Sequence, residues 1–142
     1  HGQTYNAHPV GCAAGLAVQR IIQSEGLLER VTKAGEILMK LLNERFGSHP
    51  NIGDIRGRGL LQAMELVADR ETKAPFSPEL AMHQVTKKEA FARGLLIYPS
   101  GGTIDGRNGD HILLAPPYNV TDDELGMIVD LLDDTVNAVL PS

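Results

Sequence analysis

Leu27, Leu28, Val31, Ala34, Leu38, Leu41 and Leu42 recur at spacings of three and four, so a helix built on them carries one continuous apolar stripe that must be covered. Gly26 precedes the stripe, and Gly47 followed by His49-Pro50 ends it. What can cover it comes next. In NIGDIRGRGLLQAMELV, Ile52 and Ile55 run into the turn signal Arg56-Gly57-Arg58-Gly59, and Leu60 to Val67 reads as the returning strand of a hairpin. Ser77-Pro78-Glu79 predicts a helix start: a capping serine, proline in the first turn and an acid at the positive end of the dipole. That helix should run to Arg93 and close at Gly94. Leu95 to Tyr98 and His111 to Ala115 read as short strands on either side of the polar stretch PSGGTIDGRNGD. Thr121-Asp122-Asp123-Glu124 is a capping box opening a last helix with Leu125, Ile128, Val129, Leu132, Val136 and Val139 on one face. The order predicts an α+β fold: a small, mostly antiparallel sheet with helices packed on one side.

The first 25 residues do not fit that unit. The chain opens HGQTYNAHPVG with no initiator methionine, and Pro9 then introduces a helix over Val10 to Ser24. Gly11, Cys12, Ala13, Ala14, Gly15 and Ala17 give that helix small side chains, although glycine in a helix costs about 1 kcal/mol relative to alanine. Such a composition suits close packing against a surface, and the rest of the chain offers no obvious one. Tryptophan is absent and aromatics make up 4% of the residues, thin for a self-contained core. The expectation is a chain that lacks a packing partner and begins in the middle of something larger.

Thirteen basic against eighteen acidic residues give a net charge of −5, which argues against a nucleic-acid surface. No apolar run reaches membrane-spanning length, and no signal-peptide pattern precedes the first helix. With Cys12 as its one cysteine, the chain reads as cytoplasmic. G-x-S-x-G, C-x-x-C and H-E-x-x-H are all missing, and the histidines at 1, 8, 49, 83 and 111 lack ligand spacing, so no metal site is expected. Asp105, Asp110, Asp122 and Asp123 read as solvated turn and cap residues. Two stretches remain. Thr4 offers a hydroxyl beside Gly2 just ahead of a helix N-terminus, where free N–H groups favour an anion, although a threonine there more commonly caps a turn. Arg107 sits in a mobile glycine-rich loop, where a guanidinium suits a carboxylate as readily as plain solvent. On the residues alone there is no catalytic base or nucleophile.

HGQTYNAHPVGCAAGLAV, DIRGRGLLQAMEL and GDHILLAPPYNVTDDEL, in that order, resemble the C-terminal part of class III aminotransferases, the ω-transaminase branch of the fold type I pyridoxal-phosphate enzymes. The resemblance implies that residues 1–25 belong to the large cofactor domain or its connection, and that 26–142 form the small C-terminal domain closing over the substrate entrance. It implies a homodimer in which Thr4 reaches the cofactor phosphate of the neighbouring subunit. The lysine that holds pyridoxal phosphate would precede His1. Lys33, Lys40, Lys73, Lys87 and Lys88 match none of the family's cofactor motifs, so the isolated chain is expected to be inactive, with no catalytic residue of its own. Leu113 stands where the acetylornithine-type branch places a carboxylate-gripping arginine. Arg107 lies near the mobile arginine of the amine–pyruvate branch, with spacing that differs by one residue. The implied reaction moves an amino group from an amine or ω-amino acid donor to a keto acid such as pyruvate. Arg56 and Arg58 look structural, tying the hairpin to neighbouring loops.

Two other readings stay open. An aminomutase or a decarboxylating transaminase would share these residues. A free-standing, non-enzymatic α+β module could use the glycine loop to bind a small anion, and it would hide the face carrying Cys12, Ala13 and Ala14.

Overall fold

The structure is a computed structural model that describes Gly2, Thr4 and residues 6–140. Its centre is the predicted stripe. Helix α2 (Leu27–Phe46) buries Leu27, Ala34, Gly35, Leu38, Leu42 and Phe46, while Leu28 is 63% exposed and Leu41 stays half-buried. The stripe thus follows an i, i+4 line that sequence spacing blurred by one residue at each end. Gly26, at φ +61°, makes the bend before α2 that a side chain would resist. At the other end Arg70 donates to the carbonyls of Gly47, His49 (3.1 Å) and Ile52 (2.9 Å), binding together the turn that leads from α2 into the first strand.

Strands β1 (Ile52–Arg58) and β2 (Leu61–Leu66) form the predicted hairpin around Gly59 and Leu60. Gly59, at φ +55°, takes the first turn position, where a type II′ turn requires glycine. Strands β3 (Tyr98–Gly101) and β4 (Asp110–Leu114) complete an antiparallel sheet in the order β1-β2-β4-β3. The strand expected over Leu95 to Tyr98 lies further along. Leu95 and Ile97 are buried but unpaired in the sheet, and pairing begins where Tyr98 meets Leu113. Their apolarity records burial beneath the sheet edge, which periodicity cannot separate from a strand.

Helix α3 (Met82–Ala92) also starts later than expected. Ser77 caps nothing; its hydroxyl bonds the Glu79 carboxylate, and Pro78–Leu80 make one 3-10 turn that ends at Ala81, at φ +46°. Helix α4 (Asp122–Val139) has the expected capping box: Thr121 Oγ1 accepts from Glu124 N (3.2 Å), and Thr121 N donates to Glu124 Oε2 (2.8 Å). Arg30 of α2 donates through Nε to the Val120 carbonyl (3.1 Å) and pairs with Asp122 (2.7 Å), locking the start of α4 to α2.

Helices α2, α3 and α4 cover one face of the sheet. Met64, Leu66, Ile112 and Leu114 point into the same core as Leu38, Phe46, Met82, Leu125, Val129 and Leu132. The opposite face is open, and strand register arranges it in rows: Asp54, Glu65, His111 and Ser100 in one, Arg56, Ala63, Leu113 and Tyr98 in the next. Helix α1 (Pro9–Ser24) stands apart. It buries none of its residues, Val10 is 71% exposed and Leu16 52%, and the face with Cys12, Ala13 and Ala14 is open. No helix among the described residues is long and apolar enough to cross a membrane.

The contact of α2 with the hairpin turn is backbone on backbone. A Cβ placed on Gly35 would lie 2.4 Å from the Gly59 carbonyl oxygen, so α2 rests directly on the hairpin turn. Gly35→Ala should therefore destabilise the fold by about 1–3 kcal/mol despite alanine's better helix propensity. Urea unfolding measures this, and a rise in midpoint would contradict the contact.

Candidate functional site

Of the H-G-Q-T-Y motif, Gly2 and Thr4 are described and both are exposed; His1, Gln3 and Tyr5 lie outside the described residues. Thr4 sits in a turn ahead of α1, whose N-terminus receives no side-chain cap and has no acid in its first turn. The motif residue therefore presents a hydroxyl close in sequence to an uncapped helix start, the arrangement that suits an anion.

Arg107 lies on the β3–β4 hairpin. Pairing extends further into the glycine-rich stretch than sequence implied: Thr103 N donates to the Gly109 carbonyl (3.3 Å) and Ile104 N to that of Asn108 (3.0 Å). The tip is organised by Asp105, whose carboxylate accepts from Arg107 N (2.9 Å), Asn108 N (2.7 Å) and Asn108 Nδ2 (2.7 Å). These donors, Asn108 foremost, hold the Asp105 carboxyl down to about 2. Arg107 itself is 76% exposed, with Nη2 3.7 Å from Glu79 Oε1 on the 3-10 turn.

Asp110 is not the solvated turn residue that sequence suggested. It is buried, and its Oδ1 accepts from His83 N (3.0 Å) while lying 2.5 Å from His83 Nδ1. Asp110 on β4 thus serves as the cap for α3 that Ser77 was expected to be. The His83 ring packs on Gly101, where a Cβ would come within 2.4 Å of it. Gly101 pairs with Asp110 across the hairpin, so His83 grips both sides of the loop's root. Nothing local in the sequence marks this: the donor lies 27 positions upstream of its acceptor. Asp122 and Asp123 do lie exposed in the first turn of α4, as expected.

Leu113 lies on the open sheet face between Ala63 and Tyr98. The cation of that row, Arg56, is already engaged by Glu65 across the strands (2.6 Å) and by Asp54 (2.7 Å), which push its pKa further up. Its ties stay within the hairpin rather than reaching neighbouring loops. The Arg58 side chain makes no hydrogen bond or ion pair among the described residues, its backbone being paired with Leu61. A cleft of about 650 Å³ between α2 and the β1–β2 turn is lined by Gly35, Lys40, Arg58 and Gln62, and includes neither Thr4 nor Arg107. All five lysines are exposed, and the Lys73 ammonium donates to the Gly53 carbonyl. Among the described residues no three His, Cys, Asp or Glu side chains gather as metal ligands. Thr4 and Arg107 share no hydrogen bond or ion pair.

The sequence model of the family Aminotransferase class-III matches residues 1–136. An uncharacterized aminotransferase of Schizosaccharomyces pombe is 44% identical over 137 residues, covering 96% of this chain and 30% of that protein. A thermostable (S)-enantioselective omega-transaminase from Thermomicrobium roseum shares the fold with a TM-score of 0.87 at 30% identity, over 99% of this chain and 30% of that one. An amine transaminase from an uncultivated Pseudomonas species, solved in its PLP-bound form, aligns with a TM-score of 0.84 at 33% identity, over 99% of this chain and 30% of that one. The chain thus spans about 30% of the length of the proteins it matches.

The loop geometry has a pH consequence. A carboxyl with a lowered folded pKa contributes stability above its unfolded value, 3.8 here, and that contribution is lost as pH falls through about 2. The Asp105 carboxyl carbon, followed by NMR, should titrate near 2 with the amide shifts of Arg107 and Asn108 moving alongside. A midpoint near 3.8 would mean that the tip is not held this way.

Proposed function

This chain belongs to the class-III aminotransferase family, and on that footing we propose that it serves as the C-terminal part of a pyridoxal-phosphate-dependent enzyme transferring an amino group from an amine or ω-amino acid to a keto acid such as pyruvate. The observation that carries the reading is the likeness over 99% of this chain, at a TM-score of 0.84, to a transaminase solved with PLP bound. Bound pyridoxal phosphate supplies the electron sink for such a transfer. The described residues fit it only in a supporting role. An imine-forming lysine is typically desolvated or set beside another cation to lower its pKa, and all five lysines here are exposed.

In this reading Thr4 contributes its hydroxyl to the phosphate of the cofactor held by the neighbouring subunit of a homodimer, with the uncapped start of α1 beside it in sequence. Residues 1–25 belong with the large cofactor domain. The support is burial: none of the described residues before Leu27 is buried, and the core starts there. The small side chains of α1 then have a surface to meet. Residues 26–142 act as the small domain, and the open sheet face with Leu113 lines the substrate side. Leu113 provides no fixed charge for a carboxylate and Arg56 is already paired. By its resemblance to the mobile arginine of the amine–pyruvate branch, Arg107 on its hairpin is the ligand for an acceptor carboxylate, while an uncharged amine does without it.

The 142 residues alone, mixed with pyridoxal phosphate, an amine donor and pyruvate, should form no alanine; turnover by the purified chain would overturn the assignment of the catalytic lysine to another part of the protein. In the complete enzyme, Thr4→Ala should weaken cofactor affinity about tenfold or more, the size expected for losing a hydrogen bond to a charged group, and Thr4→Ser should restore it. Absorbance titration with pyridoxal phosphate reads both, and an unchanged affinity in Thr4→Ala would remove Thr4 from the phosphate site.

A further inference from the structure

The hairpin that carries Arg107 is restrained at two levels. His83 holds its root through Asp110 and Gly101, and Asp105 holds its tip through Arg107 N and Asn108. With the backbone fixed in this way, the part of Arg107 left to move is its side chain. Its guanidinium faces Glu79, with Nη2 3.7 Å from Oε1 and both side chains about three-quarters exposed. Glu79 is itself aimed. Its carboxylate accepts from the Ser77 hydroxyl, which keeps the carboxyl below its ordinary range and therefore ionised at neutral pH.

Resting on the reading of Arg107 as the carboxylate ligand, we infer that Glu79 is a positioning residue that competes with the substrate carboxylate for the Arg107 guanidinium, and so tunes how strongly a keto acid is favoured over an uncharged amine. The competition is uneven by design of distance. An exposed pair at this separation holds weakly. A substrate carboxylate can approach closer and accept two parallel N–H bonds from the fork. Glu79 is therefore displaced by an acceptor without blocking it, while lowering the fraction of Arg107 that is free to receive one. Apparent affinity falls by that fraction, for carboxylates alone.

The test uses the complete holoenzyme at low ionic strength. Glu79→Gln keeps an acceptor for the Ser77 hydroxyl and removes the charge. It should lower the pyruvate KM about two- to fivefold, the range expected for releasing an exposed ion pair. The amine-donor KM should not follow, and added salt should shrink the difference. Glu79→Asp should return the pyruvate KM toward the starting value. Arg107→Ala should raise the pyruvate KM and abolish the effect of Glu79→Gln made with it. If Arg107→Ala raises that KM but Glu79→Gln does not lower it, the role of Glu79 is overturned and that of Arg107 stands. If Arg107→Ala leaves the pyruvate KM where it was, the reading of Arg107 fails and this inference fails with it.

Discussion

A buried carboxylate must find donors, since an uncompensated buried charge costs several kcal/mol. Asp110 finds both of its donors on His83, and the rest of the candidate site hangs on that junction. Its strand belongs to the sheet, its partner opens α3, and its cross-strand neighbour Gly101 lies under the His83 ring. One side chain therefore fixes where α3 begins, how the sheet edge meets it, and where the β3–β4 hairpin leaves the core. The 3-10 turn with Glu79 directly precedes α3, so the same junction sets Glu79 beside the hairpin.

The parts of this arrangement legible in the sequence are those with local physics. Gly26, the turn at Gly59 and the Thr121 capping box each draw on residues within four positions of one another. The first and last form where the pattern placed them, while the turn expected over Arg56 to Gly59 narrows to Gly59 and Leu60, with Arg56, Gly57 and Arg58 paired in β1. The start of α3 shows the converse. Ser77-Pro78-Glu79 is a sound local start signal, yet the serine hydroxyl goes to its own neighbour's carboxylate and the true cap arrives from β4. Propensity was overridden by a tertiary contact. The β3 shift has the same origin, because Leu95 and Ile97 are apolar for burial rather than for pairing. Thr4 and Arg107 could be singled out by residue type and surroundings, but Glu79 could not: its relation to Arg107 spans 28 positions and exists only once the hairpin is folded down.

Two surfaces of the fold are largely uncovered among the described residues: α1 apart from the half-buried Ile22, and the face of the sheet opposite the helices. They differ in chemistry. α1 offers Val10, Leu16 and Val18 among glycine and alanine, a surface shaped for close packing with little polar content. The sheet face carries charged and hydrogen-bonding groups in register, with one apolar stretch at Ala63, Leu113 and Tyr98. Apolar helix surface of the first kind is costly to leave in water and points to permanent contact. A mixed, mostly polar sheet face tolerates solvent and suits contact that comes and goes.

That division bears on how a carboxylate is recognised. An arginine at position 113 would be planted on a strand, and every substrate would meet its charge. With leucine there and Arg56 neutralised by two acids, that row of the sheet face makes no such permanent demand. On the proposed reading that cation is Arg107, whose backbone is restrained and whose exposed side chain has a weak resting partner in Glu79. Desolvating an unpaired guanidinium against an apolar amine would be unfavourable. A nearby carboxylate that receives it in water removes that penalty, and a substrate carboxylate can take it back. Under the reaction proposed above, such a site takes a charged keto acid and an uncharged amine in alternation.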